Sequence, residues 1–303
     1  MRSRWSFKDD FPLDLVNIHL FHDASNLVAM EATPSPYAQN RQQALDFALK
    51  KISEPLKVKG GELSKLDEQV PLFIFGDFNF RLDANRVIQR ITEGALPEIK
   101  RCAVSNEVVE FVYHHRQSCS DHKDHNLSPV TFKNIEKEGK SIRSDANRND
   151  IGSVACSDGK NRIVMTIGKK LFDCENLDEL FSAAKNTGWL QEMDNELDRF
   201  RSKLFEFKIS FSPSYPFKED TTGAYSYMKT RCPAWCDRIL FNVAGAGVIH
   251  YKNPERALQL DSEKRLELLQ NLGDVQYSLM GSSCPMGDHK PVLLYFRLNV
   301  TTM

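Results

Sequence analysis

Apolar and polar residues alternate along Leu13–Phe21, near the start of the chain. This period of two is typical of a strand that buries one face, and it places Asn17 and His19 together on the polar face. An uninterrupted apolar run at Val70–Phe75 indicates a second strand that is buried on both faces. The first quarter of the chain therefore predicts two core strands, one of them carrying polar side chains on one face.

Apolar residues also recur at helical spacing. Ser35 and Pro36 mark the start of a helix whose apolar positions continue to Ile52, and Asp83 is placed to cap a second helix. Apolar residues at positions 190, 193, 197, 200 and 204 predict a longer amphipathic helix that packs on the core. From there onwards the pattern predicts two strands with a short helix between them: Ile239–Phe241, Asp261–Gly273 and Val292–Leu298.

Periodicity fades between about residues 112 and 170, where polar residues accumulate, and this stretch is interpreted as a polar insertion with one or two strands. Strands and helices interleave elsewhere, but few of them have the spacing of strand–helix–strand units. The pattern favours an α+β layered domain over a doubly wound parallel sheet. Because the polar motifs described below extend from residue 17 to residue 289, we expect a single domain over residues 1–303.

The chain has 40 basic and 41 acidic residues, which gives a net charge of −1. Without an overall positive field, binding to nucleic acid or to a membrane surface is disfavoured, and an anionic partner requires a local basic patch. The apolar runs are far shorter than the roughly 20 residues of a transmembrane helix. The charged start does not have the pattern of a signal peptide, the seven cysteines include no CxxC, and the C-terminus carries no CaaX box. A cytoplasmic protein with free thiols is predicted.

The sharpest chemical feature is the segment GDFNFR at 76–81, directly after the second predicted strand. At a period of two, Asp77, Asn79 and Arg81 project to one side, so that a carboxylate, an amide and a guanidinium converge at the end of a strand. Taken alone, an ordinary polar turn is the simpler explanation.

Two further polar segments lie where strands begin. Asp237 and Arg238 precede one predicted strand, and Asp288 and His289 precede the last one. A surface ion pair and a simple turn are the alternatives for these two segments. Because the end of one strand and the start of its antiparallel neighbour share an edge of the sheet, we expect Asp77 to lie in one cleft with these groups.

Four histidines and a cysteine fall within twelve residues, a spacing that invites a zinc site. They are His114, His115, Cys119, His122 and His125. Only one cysteine is present, and the stretch has neither a helical nor a strand pattern, so a polar loop is favoured over a metal site.

Four segments in order, NIHL (17–20), GDFNFR (76–81), PAWCDRIL (233–240) and GDHKPV (287–292), resemble the motifs of inositol polyphosphate 5-phosphatases. These are Mg-dependent members of the DNase I-like endonuclease/exonuclease/phosphatase superfamily, and the longer strings around Asn17 and Lys229 most resemble the type I branch. The resemblance covers roughly residues 4–92, 196–241 and 284–298. It implies a four-layered α/β/β/α sandwich.

The resemblance also implies roles for the polar residues. Asp77 would orient or deprotonate the attacking water, and Asn79 would bind a phosphoryl oxygen. His289 would lie beside the scissile phosphate, with Asp237 holding its imidazole. His19 would donate to the phosphate. Asp288 would lie near a Mg²⁺ ion, which neutralises charge on phosphoryl oxygens.

An inositol ring with several phosphates needs additional cations. By the same resemblance Tyr215, Lys218, Lys229 and Arg231 match residues that contact the ring phosphates. The basic residues of the GDFNFR and PAWCDRIL segments, Arg81 and Arg238, are grouped with them as substrate contacts. For each basic residue, a solvated surface side chain is the alternative.

Family members also carry an Asn strand and a magnesium-binding Glu upstream of the NIHL strand. Here that strand lies within 20 residues of Met1, so we expect the chain to match the carboxyl-side two-thirds of a family member without the main Glu ligand. The implied activity is removal of the 5-phosphate from inositol 1,4,5-trisphosphate and inositol 1,3,4,5-tetrakisphosphate, which would end a calcium-release signal. The alternatives are an inactive, truncated form that binds inositol phosphates and a related nuclease.

The expected partners are soluble inositol polyphosphates, with phosphoinositide headgroups as a second option. Because the chain has near-neutral charge and no lipid anchor, soluble substrates are favoured. A peripheral position at the plasma membrane is the alternative to a purely cytoplasmic one.

Overall fold

The computed structural model describes residues 1–7, 11–54, 70–115, 162–182, 188–219, 225–249, 275–281 and 287–298, with short pieces at 57–58, 61–62, 264, 267 and 284–285. Its strands are β1 (Arg2–Ser6), β2 (Pro12–His19), β3 (Lys57–Val58), β4 (Gly61–Glu62), β5 (Leu72–Asp77), β6 (Glu98–Arg101), β7 (Val108–His114), β8 (Ile163–Gly168), β9 (Leu171–Cys174), β10 (Asp237–Phe241), β11 (Gln276–Leu279) and β12 (Val292–Tyr295). Its helices are α1 (Asn26–Ala29), α2 (Pro36–Ser53), α3 (Ala84–Ile91), α4 (Leu177–Leu180), α5 (188–191) and α6 (Val243–Gly247).

A central sheet with the order β1-β2-β5-β10 carries the polar motifs. β2 and β5 run parallel, whereas β1 and β10 pair antiparallel with β2 and β5. Along β5, Leu72 and Ile74 pack into one hydrophobic core and Phe73 packs into another. The sheet is therefore buried on both faces, which is why β5 has an uninterrupted apolar sequence.

The two cores lie on opposite faces of this sheet. On one side, Leu45 and Ile52 of α2 pack with Ile74. On the other, Phe73 shares a core with Met165 of the sheet β6-β7-β8-β9 and with residues of the two-stranded sheet β11-β12. A helix, a central sheet and further sheets thus form successive layers, and the α+β prediction is confirmed.

The local signals at the helix starts are also confirmed. The Ser35 hydroxyl accepts a hydrogen bond from the Ala38 amide at 3.1 Å, with Pro36 in the first turn of α2. The Asp83 carboxylate accepts one from the Arg86 amide at 3.2 Å and caps α3. Each side chain satisfies an amide that has no partner within the helix.

The prediction of one long helix over residues 190–204 is wrong. The chain forms α5, several turns and a 3₁₀ turn at Asp198–Phe200. The apolar residues are buried as expected, but Leu190 and Met193 lie in one core and Leu197 and Leu204 in the other. Because the segment crosses from one core to the other, it cannot remain a single straight helix.

The two ends of the predicted polar insertion are strands: β7 ends at His114 and pairs antiparallel with β8. Residues 116–161 lie outside the described residues, as does most of the predicted helix at Asp261–Gly273. His114 Nε2 lies 3.2 Å from a Glu98 carboxylate oxygen, and the other zinc candidates beyond residue 115 are not described. Within the described part of the chain, no helix has the length and apolar character needed to cross a membrane.

Candidate active site at one end of the central sheet

Strand register brings three polar side chains together at one end of the central sheet. Asp77, the last residue of β5, is the register partner of His19 on β2 and of Asp237 on β10. His19 Nε2 lies 3.4 Å from Asp77 Oδ2. The expectation that a strand end and an antiparallel strand start share one edge of the sheet is confirmed for Asp77 and Asp237.

Gly76 is the residue that allows β2 and β5 to approach at this point. Its φ is +132°, and a Cβ added to it would lie 2.2 Å from the Ile18 carbonyl oxygen. Any side chain would therefore be strained and would push the two strands apart. The glycine of the GDFNFR segment thus keeps His19 beside Asp77.

His289 reaches the same site from the loop before β12. Backbone hydrogen bonds from Phe217 to the Asp288 carbonyl and from Lys290 to the Ser214 carbonyl hold this loop against the 214–217 segment. His289 Nδ1 lies 2.9 Å from Asp237 Oδ2, and Nε2 lies 3.9 Å from Asp77 Oδ2. The imidazole therefore lies between two carboxylates and is half-buried.

These contacts set the pKa values of the site. Burial alone lowers the pKa of His289, but the hydrogen bond and charge of Asp237, with the nearby charges of Asp77 and Asp288, raise it above its usual value. Burial raises the pKa of Asp77, and the Asp237 charge adds to this effect, while His289 opposes it. The site thus combines a carboxylate of increased basicity with an imidazole that favours its charged form.

Asn79 holds the Asp77 carboxylate in place. Its backbone N–H donates to Asp77 Oδ1 at 2.8 Å and its side-chain amide donates to Oδ2 at 2.9 Å. The same amide donates to the Leu20 carbonyl at 3.0 Å, so both of its hydrogens are used, and the residue is only 2% exposed. Asn79 positions Asp77 in this structure, and its direct contact with a phosphoryl oxygen stays a prediction.

Arg81 and Tyr215 extend the site on one side. Arg81 Nη2 donates to Asn79 Oδ1 at 2.7 Å, and its guanidinium carbon lies 4.5 Å from the centre of the Tyr215 ring. The same ring packs on the His289 imidazole, with 4.4 Å between centroids. Among the described residues, Arg81 Nε and Nη1 have no hydrogen-bond partner although they are buried. Such orphaned donors are unfavourable unless an anion or water satisfies them.

The other predicted substrate cations differ in their exposure and in their partners. Arg231 lines a cavity of about 60 Å³ together with Arg81, and its Nη2 donates to the Asp23 carbonyl at 3.1 Å. Lys229 is half-exposed and pairs with Asp173 at 2.8 Å. Lys218 is exposed. Of these three cations, Arg231 is the one that shares a cavity with Arg81.

The prediction that Arg238 contacts substrate is not supported. Its guanidinium is buried and pairs with Asp194 at 2.5 Å and with Glu206 at 2.8 Å. Successive strand residues point to opposite faces, so Arg238 turns away from the face that Asp237 presents. We therefore assign Arg238 to an internal ion-pair cluster.

Sequence reasoning missed Ser214. This fully buried residue donates its hydroxyl to Asp237 Oδ2 at 2.7 Å and accepts from the Asp237 amide at 3.2 Å. It orients the carboxylate that holds His289. The sequence signal that could have identified Ser214 is its position directly before Tyr215, a predicted substrate contact.

Two carboxylates and an imidazole at this end of the sheet form a donor set for a divalent cation. Within the described residues, Asp77, Asp237 and His289 each offer a ligand atom within 4.8 Å of the others. Mg²⁺ is commonly bound through one or two carboxylates together with substrate phosphate oxygens, and the two aspartates fit that pattern. Asp288, the predicted metal residue, is close enough for its charge to raise the pKa of His289, but it is not part of this three-residue group.

Known proteins resemble the chain over most of its length. A family model described as Endonuclease/Exonuclease/phosphatase family 2 matches residues 169–294. Inositol polyphosphate-5-phosphatase A of Rattus norvegicus and of Homo sapiens are each 37% identical to the chain over 298 residues, which cover 98% of this chain and 55% of the relative. A Caenorhabditis elegans protein named probable type I inositol 1,4,5-trisphosphate 5-phosphatase is 32% identical over 312 residues, covering 98% of this chain and 62% of that protein.

The chain thus spans a little more than half the length of the curated relatives it matches. The match to these relatives extends across 98% of the chain, and the family model includes Asp237 and His289 of the site. The motif resemblance and the α+β layers agree with this similarity to the relatives. The chain is therefore similar over 98% of its length to inositol polyphosphate-5-phosphatases, and its residues 169–294 match the endonuclease/exonuclease/phosphatase family model.

Proposed function

We propose that the protein is a Mg²⁺-dependent phosphomonoesterase that removes the 5-phosphate from inositol 1,4,5-trisphosphate and inositol 1,3,4,5-tetrakisphosphate. The observation that carries this proposal is the alignment of His19, Asp77 and Asp237 in strand register, with His289 hydrogen-bonded to Asp237. The names of the relatives support the same class of substrate. In a cell this reaction would end a calcium-release signal.

The proposed chemistry starts at Asp77. Two hydrogen bonds from Asn79 fix the orientation of its carboxylate, which suits a group that orients and deprotonates a water molecule. Charged His289 donates a hydrogen bond from Nε2 to the phosphoryl group, while its Nδ1–H donates to Asp237, which fixes the orientation of the ring. His19, whose side chain is 73% exposed, is available to donate to the phosphate from the other side of Asp77.

Mg²⁺, when bound, would neutralise charge on the phosphoryl oxygens. Asp77 and Asp237 are the carboxylates of the three-residue group that would hold it, with Asp288 as the further ligand that the family resemblance implies.

The remaining phosphates of the substrate require cations beside this centre. Arg81 supports this role because its Nε and Nη1 are buried without a partner in the described part of the chain. Arg231 lines the same cavity, and Tyr215, Lys218 and Lys229 are the outer candidates. We propose soluble inositol polyphosphates as substrates and phosphoinositide headgroups as a second class, with a cytoplasmic site of action.

The test is release of inorganic phosphate from inositol 1,4,5-trisphosphate by residues 1–303 with Mg²⁺. Inositol 1,4-bisphosphate is the matched control, because it lacks the 5-phosphate and should release none. Chelation of divalent cations should abolish the activity. Release from the bisphosphate as well would overturn the assignment of the 5-position.

Two other outcomes identify the alternative functions. Nicking of plasmid DNA without phosphate release indicates a nuclease. Absence of turnover, combined with inositol trisphosphate binding that Lys229→Ala abolishes, indicates a binding module. Either outcome would contradict the proposed phosphatase activity of this chain.

A further inference from the structure

Arg41 is a fully buried arginine in α2, one helical turn before Leu45. Its Nε donates to Glu196 Oε2 at 2.8 Å and its Nη2 donates to Glu196 Oε1 at 2.6 Å, while Nη1 pairs with Asp23. Both acidic partners are more than nine-tenths buried. We call these three residues, Asp23, Arg41 and Glu196, the Arg41 network.

The network holds the backbone directly after two strands of the site. Arg41 Nη1 donates to the Phe21 carbonyl at 3.2 Å, two residues beyond His19. Glu196 Oε1 accepts from the Arg81 amide at 3.0 Å, at the end of the GDFNFR segment. The chain leaving β2 and the chain leaving β5 are therefore tied to the same guanidinium.

Further hydrogen bonds continue from these two loops to the site. The Arg81 guanidinium donates to Asn79, which in turn donates twice to Asp77. The Asp23 carbonyl accepts from Arg231 Nη2 at 3.1 Å. The network thus contacts the supports of both the predicted base and a predicted phosphate contact without reaching the substrate position itself.

Stability alone is a poor explanation for such a network. The cost of removing charges from water often equals or exceeds the attraction between buried ions, so apolar residues of the same size would serve a core at least as well. Geometry explains it better, because a bidentate arginine–carboxylate pair fixes both partners in one orientation. The Phe21 carbonyl and the Arg81 amide are hydrogen-bonded to this fixed pair, so the backbone is held in place at both residues.

We propose that Arg41 and Glu196 are positioning residues of the phosphatase site, which hold Asp77, His19 and Arg231 in register with one another. This inference rests on the proposed function. It assigns a role to residues of α2 and of the 190–204 segment, neither of which carries a group that touches substrate.

The test compares Glu196→Leu with Glu196→Gln. Leucine removes both the pair with Arg41 and the acceptor for the Arg81 amide, whereas glutamine keeps an oxygen for that amide. We expect kcat per folded molecule to fall roughly 10- to 100-fold in E196L, as is typical when an outer support of a catalytic group is lost. E196Q should recover part of that loss. If E196L does not fold, Arg41→Lys serves in its place, since it keeps the charge and loses the bidentate geometry.

Asp14→Asn is the matched control, because Asp14 is also a fully buried acid of the central sheet and pairs with Arg2 and Arg4 at 2.9 and 2.8 Å. D14N should lower the unfolding midpoint and leave kcat per folded molecule unchanged. If E196L behaves in the same way, with a lower midpoint and an unchanged kcat, the positioning role is refuted.

A readout without turnover separates this inference from the proposed function. In ¹⁵N-labelled protein, the ring signals of His19 and His289 and the side-chain amide of Asn79 should shift in E196L and stay in place in D14N. A wild-type chain without phosphatase activity would contradict the proposed function, while the NMR comparison would still decide the positioning role. Unshifted signals in E196L would overturn it.

Discussion

Asp77 and Asp237 are direct register partners on antiparallel strands, so two carboxylates lie side by side at one end of the central sheet. His289 lies 2.9 Å from the second and 3.9 Å from the first. Like charges this close disfavour simultaneous ionisation, and a protonated imidazole between them relieves the repulsion. The three groups therefore form one electrostatic unit, in which the charges of Asp237 and Asp77 raise the pKa of His289 and the Asp237 charge raises that of Asp77.

Asp237→Asn should uncouple this unit. The substitution removes the charge that raises the pKa of His289, so we expect that pKa to fall and the share of charged imidazole at neutral pH to decrease. Turnover should fall about 100-fold or more, which is the usual contribution of a positioned acid–base group. An NMR titration of the His289 ring and steady-state kinetics measure the two effects.

Ser214→Ala is the control for this experiment. It removes one hydrogen bond to Asp237 but keeps the carboxylate, so its effect on both quantities should be smaller. An unchanged His289 pKa in D237N would show that Asp237 does not hold the charged ring.

Arg238→Met should destabilise the fold without changing substrate affinity. Arg238 pairs with Asp194 and Glu206 in the interior, and removal of one partner of a buried ion pair costs about 3–5 kcal/mol. Urea unfolding measures this loss, and KM for inositol trisphosphate should stay at the wild-type value. Glu206→Gln provides a milder second variant of the same cluster.

Arg231→Ala should show the opposite pattern. Loss of one charge-assisted hydrogen bond is worth about 1.5 kcal/mol, so KM should rise roughly tenfold. Stability should change little, because Arg231 is only half-buried. If KM also rose about tenfold in R238M, Arg238 would be a substrate contact after all.

Sequence alone predicts the parts of the site that depend on strand ends. The alternation in β2 and the apolar run of β5 place His19 and Asp77 at neighbouring strand ends, because side-chain period and strand pairing are local rules. The same period of two, applied to Asp237 and Arg238, would have placed these two adjacent residues on opposite faces.

Other parts depend on contacts between distant segments. Arg41 and Glu196 are 155 residues apart, and neither lies in a sequence motif that predicts an ion pair. The apolar spacing at 190–204 fits a helix as well as it fits a chain that crosses between two cores. Only the folded packing distinguishes these possibilities.

Asp14 predicts how stability depends on pH. Burial disfavours its ionised form, but hydrogen bonds from Arg4 and Arg2 outweigh this and lower its pKa below the usual value of 3.8. A lowered folded-state pKa adds stability above the unfolded-state pKa, and this contribution is lost as the pH falls through the folded-state value. The wild type should exceed D14N by about 2 kcal/mol at neutral pH. Urea unfolding between pH 7 and pH 3 should show that difference shrinking below about pH 4; a constant difference would contradict the ion-pair assignment.

The sequence and the structure suggest two different roles for Tyr215. The family resemblance implies contact with a ring phosphate, which would use the hydroxyl, whereas the structure places the ring between His289 and Arg81. Stacking of this kind depends on the aromatic face and is worth about 0.5–1.5 kcal/mol.

Tyr215→Phe keeps the ring and removes the hydroxyl, and Tyr215→Leu removes both. If stacking aligns His289, kcat should fall further in Y215L than in Y215F, and the His289 ring signals should shift in Y215L alone. If the hydroxyl binds phosphate, KM should rise equally in both variants. Steady-state kinetics at saturating and limiting inositol trisphosphate distinguish the two results, because alignment of the reacting group acts on kcat and a phosphate contact made equally throughout the reaction acts on KM.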